Sequence, residues 1–199
     1  YMRNVILNPA ANLCIVEVDE TGTKFRIVWG LTEGGRPTSE LPTHLMNHSI
    51  KKELTGGRHR VILHAHTTNV IALTFVLPLK DEVFTRELWE MATECPVVFP
   101  EGVGVVPWMV PGGRDIALAT AELMKQYNVA IWAHHGIFCS GADFDETFGL
   151  MDTVEKSAEI LVKVLSMGGK RQTITAQNFR DLAVDFKVTL PERFLYESK

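Results

Sequence analysis

Two histidines one residue apart end an apolar run in the segment VILHAHTTN, residues 61–69. In a β-strand, alternate side chains lie on the same face, so His64 and His66 would point to one side, about 6.5 to 7 Å apart along the chain. A second apolar run, VAIWAHHG, also ends in histidine. Two such strands would bring three imidazoles together, the ligand set of a catalytic zinc that keeps a position open for water or substrate. Histidines that lie in a core or on a surface without a ligand are the alternative.

A carboxylate follows two hydroxyl side chains in the segment RPTSELP, residues 36–42. Thr38 and Ser39 are typical N-cap residues, and hydroxyls together with free N–H groups at a helix start can hold a phosphate or a carboxylate. Glu40, predicted to lie in the first helical turn, could act as a base beside that anion. The alternative is ordinary capping, with Glu40 placed favourably against the helix dipole.

Two further groups carry weaker signals. Glu94, in ATECPVV, lies between a predicted helix and an apolar run, where its carboxylate could face a cleft, a partner chain or only solvent. His44 and His48 stand four residues apart on a predicted helix and could share an ion. Because the segment lacks the HExxH pattern of a helical zinc site, we interpret this pair as part of a helix face.

The elements that must position these side chains mix strands and helices. Alternating and β-branched runs predict strands, the first two forming a hairpin, at 14–19, 25–29, 59–66, 96–100, 102–108 and the run that precedes the second histidine pair. Caps and apolar periodicity predict helices at 40–54, 67–77, 81–93, 112–128, 143–169 and 175–186. This mixture, with an antiparallel hairpin, predicts a layered α/β fold.

Composition and charge restrict the class of protein. The 199 residues are about one domain in length, and 46% apolar with 22% charged residues predict a folded, soluble chain. A net charge of -4 with both signs interspersed argues against a nucleic acid or an anionic membrane as partner. Apolar runs shorter than the ~20 residues of a membrane span, and the lack of a signal peptide at the start, predict a cytoplasmic location.

The cysteines predict neither a disulfide framework nor a thiolate metal site. Cys14, Cys95 and Cys139 are odd in number, far apart and without a CxxC spacing. We therefore expect three buried free thiols.

Several segments together resemble the class II aldolase family. The order PTSELP, HAH, HG is the most specific feature, and the matching segments run almost from end to end: RNVILNPAANL, IVWGLTEGGRPTSELP, RVILHAHTTNVIALT, FTRELWEMATECPVVFPEGVGVVPWMVPG, HHGIF and DETFGLMDTVEKSAEILVKV. The resemblance implies a layered αβα domain with a mixed or antiparallel central sheet. It also implies that His64, His66 and His135 bind Zn²⁺ and that Glu40 is the catalytic acid or base. His134 stands where members vary and is interpreted as a neighbour.

The resemblance further implies a substrate and an assembly. Thr38 and Ser39 would lie at the phosphate of a sugar phosphate, and Glu94 would be a second catalytic group that reaches the active site of an adjacent subunit in a homotetramer. The implied reaction is reversible cleavage of L-rhamnulose 1-phosphate to dihydroxyacetone phosphate and L-lactaldehyde. A fuculose-phosphate aldolase, a pentulose-phosphate epimerase, a sugar-phosphate dehydratase and a non-enzymatic, adducin-like binding module are the alternatives.

The start of the chain carries one further expectation. Tyr1 opens a segment that already resembles the interior of a domain, and family members carry further residues upstream that supply most of the phosphate cradle. We therefore expect residues 1–199 to form a class II aldolase-like domain truncated at its N-terminus.

Overall fold

A computed structural model describes residues 4–196 of the chain. The short helix α1 (Pro9–Asn12) leads into a hairpin, in which β1 (Cys14–Val18) pairs antiparallel with β2 (Phe25–Gly30). The Asp19 carboxylate closes the connection by accepting hydrogen bonds from the N–H groups of the residues that lead into β2. The predicted hairpin is therefore confirmed.

The central sheet is mixed, as the resemblance implied. Its strands are β3 (Val61–Ala65), β4 (Gly104–Val106), β5 (Val129–Trp132) and β6 (Gly136–Gly141). They lie in the order β3-β6-β5-β4, with antiparallel β3/β6 and β5/β6 pairs and a parallel β4/β5 pair. We did not predict β6. It begins directly after the second histidine pair and lies between β3 and β5 in the sheet.

Helices cover both faces of this sheet. They are α2 (Leu41–Thr55), α3 (Thr68–Leu73), α4 (Asp81–Trp89), α5 (Cys95–Val98), α6 (Arg114–Leu123), α7 (Phe144–Ser166) and α8 (Ala176–Phe186), followed by a 3-10 turn at Glu192–Phe194. The pair α2 and α6 packs on one face, and α3, α4 and α7 pack on the other. The layered αβα architecture is confirmed.

Strand alternation divides the apolar side chains between two cores. Ile131 and Ile137 belong to the large core under α4 and α7, whereas their neighbours Trp132 and Phe138 belong to the smaller core under α2 and α6. Because each strand of a sheet covered on both sides is apolar on both faces, the runs read as continuously hydrophobic in the sequence. The histidines stand where these runs end.

Several local predictions are wrong at their boundaries or in their type. The sequence predicts a strand at 96–100, but Pro96 is the second residue of the helical turn α5, where its fixed φ and missing N–H are tolerated. Glu40 is the N-cap of α2 rather than a residue of its first turn, because its backbone is not helical while its carbonyl accepts a helical hydrogen bond from the His44 N–H at 3.0 Å. The helices predicted at 67–77, 81–93 and 112–128 are each shorter than expected.

The cysteines and the longest helix agree largely with expectation. Cys95 and Cys139 are buried free thiols, but Cys14 is only half-buried, because it lies in the exposed hairpin rather than in a core. The helix α7 begins at an Asp143 cap and ends before Gly168 and Gly169, whose positive φ angles stop it. Within residues 4–196, no helix combines the length and the apolar character that a membrane crossing requires.

Candidate metal centre and active site

Three histidines from two parts of the sheet converge at one end of it. His64 lies near the end of β3, His66 just beyond that strand, and His135 in the turn between β5 and β6. One ring nitrogen from each lies within 4.8 Å of the other two. The ring centroids of His66 and His135 are 4.8 Å apart, and that of His64 lies 5.2 and 5.3 Å from them.

The register of the β3/β6 pair sets the position of His64. It lies opposite Phe138, and the two rings stack at 4.2 Å between centroids. Since Ile62 packs in the core under α2 and α6, strand alternation places His64 on that same face. His44 of α2 packs edge-on to Phe138 and lies outside the three-histidine cluster, in agreement with its interpretation as part of a helix face.

Hydrogen bonding orients the His64 imidazole toward the cluster. Its Nδ1 lies 3.0 Å from the carbonyl oxygen of Ile137, which can only accept, so Nδ1 carries the proton and Nε2 offers a lone pair. That Nε2 is buried and has no hydrogen-bond partner, and the same holds for Nε2 of His135. Orphaned buried acceptors are costly, and a cation between the rings would satisfy both of them.

Partial burial favours the neutral imidazole at His64 and at His135. Desolvation lowers the pKa of His64 to about 4, and the nearby imidazoles of His135 and His66 contribute. Desolvation also lowers the pKa of His135, assisted by His66 and opposed by the negative charge of Glu40. Neutral imidazoles are the form that binds metal, and the convergence of the three ring nitrogens fits a divalent cation.

The turn between β5 and β6 places His135. Its N–H donates to the Trp132 carbonyl at 3.1 Å, and His134 adopts a left-handed conformation with φ of 60°. The residue after His135 is Gly136, and it must be small, because a Cβ there would lie 2.3 Å from the carbonyl oxygen of Ala65. His134 itself is exposed and contacts Thr74 and Phe75 instead of the cluster.

Glu40 is a buried carboxylate beside this cluster. Only 6% of the residue is exposed, and its charge acts on His135. One carboxylate oxygen accepts a hydrogen bond from the Ser39 hydroxyl at 3.2 Å, and the other accepts from the Gly112 N–H at 3.3 Å. The fold therefore holds a carboxylate next to three convergent imidazoles, an arrangement suited to moving a proton near a bound cation.

A polar cleft opens next to Glu40. Thr38 and Ser39 are exposed and line it together with Arg36, Glu33 and Asn12. We did not single out Arg36 in the sequence, although it stands in the same RPTSELP segment and its guanidinium is well suited to a phosphate. The sequence also gave no signal for Gly112, because a backbone N–H that approaches from another segment leaves no trace in residue type.

Glu94 does not join the cluster within this chain. It is exposed at the N-cap of α5, which packs against α7 and α8. Its neighbour Cys95 lies in the core under α4 and α7, on the sheet face opposite to that of His64. Among residues 4–196, the group of side chains that could hold a metal comprises the three histidines and does not include Glu94.

Known proteins share this fold. The sequence profile of the Class II Aldolase and Adducin N-terminal domain family matches residues 7–162. A solved sugar-phosphate aldolase from Thermotoga maritima superposes with a TM-score of 0.74 at 31% identity, over 85% of this chain and 69% of that one. An L-fuculose 1-phosphate aldolase at 24% identity, with a TM-score of 0.58 over 86% of this chain and 71% of that one, shares the fold. The chain therefore belongs to the class II aldolase and adducin family.

Particular relatives are more similar in sequence. A rhamnulose-1-phosphate aldolase from Mannheimia succiniciproducens is 58% identical over 189 residues, which are 95% of this chain and 70% of that protein. One from Klebsiella pneumoniae (strain 342) is 57% identical over 188 residues, 94% of this chain and 68% of that protein.

Proposed function

We propose that this protein is a zinc-dependent aldolase that cleaves L-rhamnulose 1-phosphate reversibly to dihydroxyacetone phosphate and L-lactaldehyde, a step of rhamnose catabolism. The observation that carries the proposal is the convergence of His64, His66 and His135 beside the buried carboxylate of Glu40. The high identity to two rhamnulose-1-phosphate aldolases supports the choice of substrate.

The residues divide the chemistry between them. Zn²⁺ held by the three imidazoles would act as a Lewis acid that stabilises the negative charge left when the carbon–carbon bond breaks. Glu40 would deliver a proton to the carbon released by cleavage and remove it in the synthetic direction. Its contacts with Ser39 and Gly112 hold the carboxylate in one orientation, so that little reorganisation is needed during the reaction.

The phosphate end of the substrate would lie in the polar cleft next to Glu40. Thr38 and Ser39 offer hydroxyl donors there, and Arg36 adds a positive charge. A cytoplasmic location belongs to the same proposal, because a charged sugar phosphate does not cross a membrane unaided and is consumed where it is formed.

The proposal is tested by release of dihydroxyacetone phosphate from L-rhamnulose 1-phosphate by the full-length natural protein, before and after EDTA, with L-fuculose 1-phosphate alongside. We expect release that EDTA abolishes and Zn²⁺ restores, with rhamnulose phosphate preferred. Preference for the fuculose compound would reassign the substrate and keep the metal chemistry. No release from either sugar, or release indifferent to EDTA, would contradict the aldolase proposal and favour a dehydratase or a binding module.

We also propose that Glu94 serves the active site of a neighbouring subunit in a homotetramer. Its exposed position, away from its own histidines, supports a role across an interface. If each site needs Glu40 of one chain and Glu94 of another, two inactive variants can complement each other.

Mixing the Glu40→Gln and Glu94→Gln chains tests this arrangement. After dissociation and reassembly at equal amounts, about one quarter of the sites would carry both native carboxylates, so we expect activity near that fraction of the parent. Each variant reassembled alone is the control. Parental turnover in Glu94→Gln by itself would show that Glu94 is a solvated loop residue.

A further inference from the structure

The turn that carries His135 has an unusual backbone held by an unusual contact. His134 is not glycine, yet its φ of 60° lies in the left-handed region that side chains with a Cβ rarely adopt. The residue is exposed, so burial in a core does not impose this conformation. The hydrogen bond within the turn, from the His135 N–H to the Trp132 carbonyl, is joined by a contact from outside the turn.

The Thr74 hydroxyl supplies that contact. Thr74 is only 4% exposed, and its hydroxyl donates its proton to the Ile71 carbonyl at 2.7 Å. The oxygen therefore faces His134 as an acceptor, 3.0 Å from the backbone N–H and 3.1 Å from Nδ1. The Phe75 ring also packs against the His134 ring, with centroids 4.2 Å apart.

The same contact joins the two segments that bear the histidine cluster. Thr74 ends α3, and α3 begins two residues after His66. The start of α3 is fixed in turn by the Glu155 carboxylate, which accepts hydrogen bonds from the N–H groups of Asn69 and Val70. A rigid helix thus connects the His66 segment to the turn that ends in His135.

We propose that Thr74 is a positioning residue for the metal centre, which sets the His135 imidazole relative to His66 by holding His134 in its left-handed conformation. The inference rests on the proposed metal site but assigns a function to a side chain that touches neither metal nor substrate. It requires the hydroxyl, not merely the volume of the side chain, because the acceptor oxygen makes the contact.

Metal affinity of the full-length protein tests this role. We expect Thr74→Val, which keeps the shape and loses the hydroxyl, to bind Zn²⁺ about 10- to 100-fold more weakly in competition with a chromophoric chelator. Thr74→Ser should bind as the parent does. Adding His134→Gly to Thr74→Val should recover most of the affinity, because glycine adopts positive φ without strain.

Thr85→Val is the matched control. Thr85 is also fully buried, and its hydroxyl also accepts a backbone N–H, that of Val103 at 2.9 Å, but it lies on α4 away from the histidines. We expect this variant to unfold at lower temperature without a change in Zn²⁺ affinity. Equal Zn²⁺ affinity in Thr74→Val and the parent would overturn the inference and leave Thr74 as a helix cap.

Two further readouts keep the outcomes distinct. Failure of the parent itself to bind Zn²⁺ would contradict the proposed function, whereas parental binding with an indifferent Thr74→Val contradicts only the positioning role. If Thr74→Val does not fold, the hydrogen-exchange rate of the His134 amide in the parent tests the inference instead. The His134 amide should exchange slowly although the residue is exposed, and exchange at the rate of an unprotected amide would overturn the inference.

Discussion

Glu40→Gln is expected to lower turnover by about 10²- to 10⁴-fold, the usual contribution of a positioned general acid or base, while the protein binds Zn²⁺ at parental stoichiometry. The glutamine has the same shape and can still accept one of the hydrogen bonds from Ser39 and Gly112, so the site should keep its geometry. What it cannot do is exchange a proton. Steady-state rates and metal content by elemental analysis measure the two effects separately.

Glu53→Gln is the control for this prediction. Glu53 lies on the same helix, α2, and its side chain is exposed. Its replacement should leave both turnover and metal content unchanged. Loss of Zn²⁺ from Glu40→Gln would contradict the assignment and make Glu40 a ligand or a structural support of the histidines.

Gly136→Ala is expected to damage stability and metal binding together. A Cβ at this position would lie 2.3 Å from the Ala65 carbonyl oxygen and 3.2 Å from the His66 Cα, so β3 and β6 would have to separate. Forcing an extra methyl group into such a contact typically costs about 1–3 kcal/mol. Because β3 carries His64 and β6 directly follows His135, the same displacement should weaken Zn²⁺ binding at least 10-fold, about 1.4 kcal/mol.

Gly149→Ala is the matched substitution for this second prediction. A Cβ at Gly149, on the exposed side of α7, meets no atom within 4 Å. Since glycine is unfavourable inside a helix, this variant should be more stable than the parent by about 0.5–1 kcal/mol, with unchanged Zn²⁺ affinity. Chemical denaturation measures the stability of both variants, and metal titration measures their Zn²⁺ affinity. Parental Zn²⁺ affinity in Gly136→Ala would mean that the strand pair does not set the ligand positions.

Features that depend on neighbours in the chain could be predicted from the sequence alone. Strand alternation placed His64 and His66 on one side, the turn residues between 14–19 and 25–29 predicted the hairpin, and the two glycines at 168 and 169 marked the end of α7. Each of these signals is local, because caps, turns and periodicity act within a few residues. The resemblance to class II aldolases rested on such short segments and on their order.

Features that depend on contacts between distant segments were decided only by the tertiary structure. The unpredicted strand β6 pairs with both β3 and β5, and this pairing brings His135 to His64 across about 70 residues of chain. The same packing places the Gly112 N–H on Glu40 and the Thr74 hydroxyl on His134. It also separates Glu94 from the histidines, and it makes α5 a helical turn where valines alone predict a strand.

The physical reason is the same in each case. Residue type reports what a side chain can do, such as bind a cation, accept a proton or cap a helix, and the sequence by itself determined this inventory. Which groups meet is set by the burial of both sheet faces, which selects one strand order and one register from several that the apolar runs permit. The histidines, Glu40 and Thr74 come together as a site only because that single register buries the apolar side chains of both cores at once.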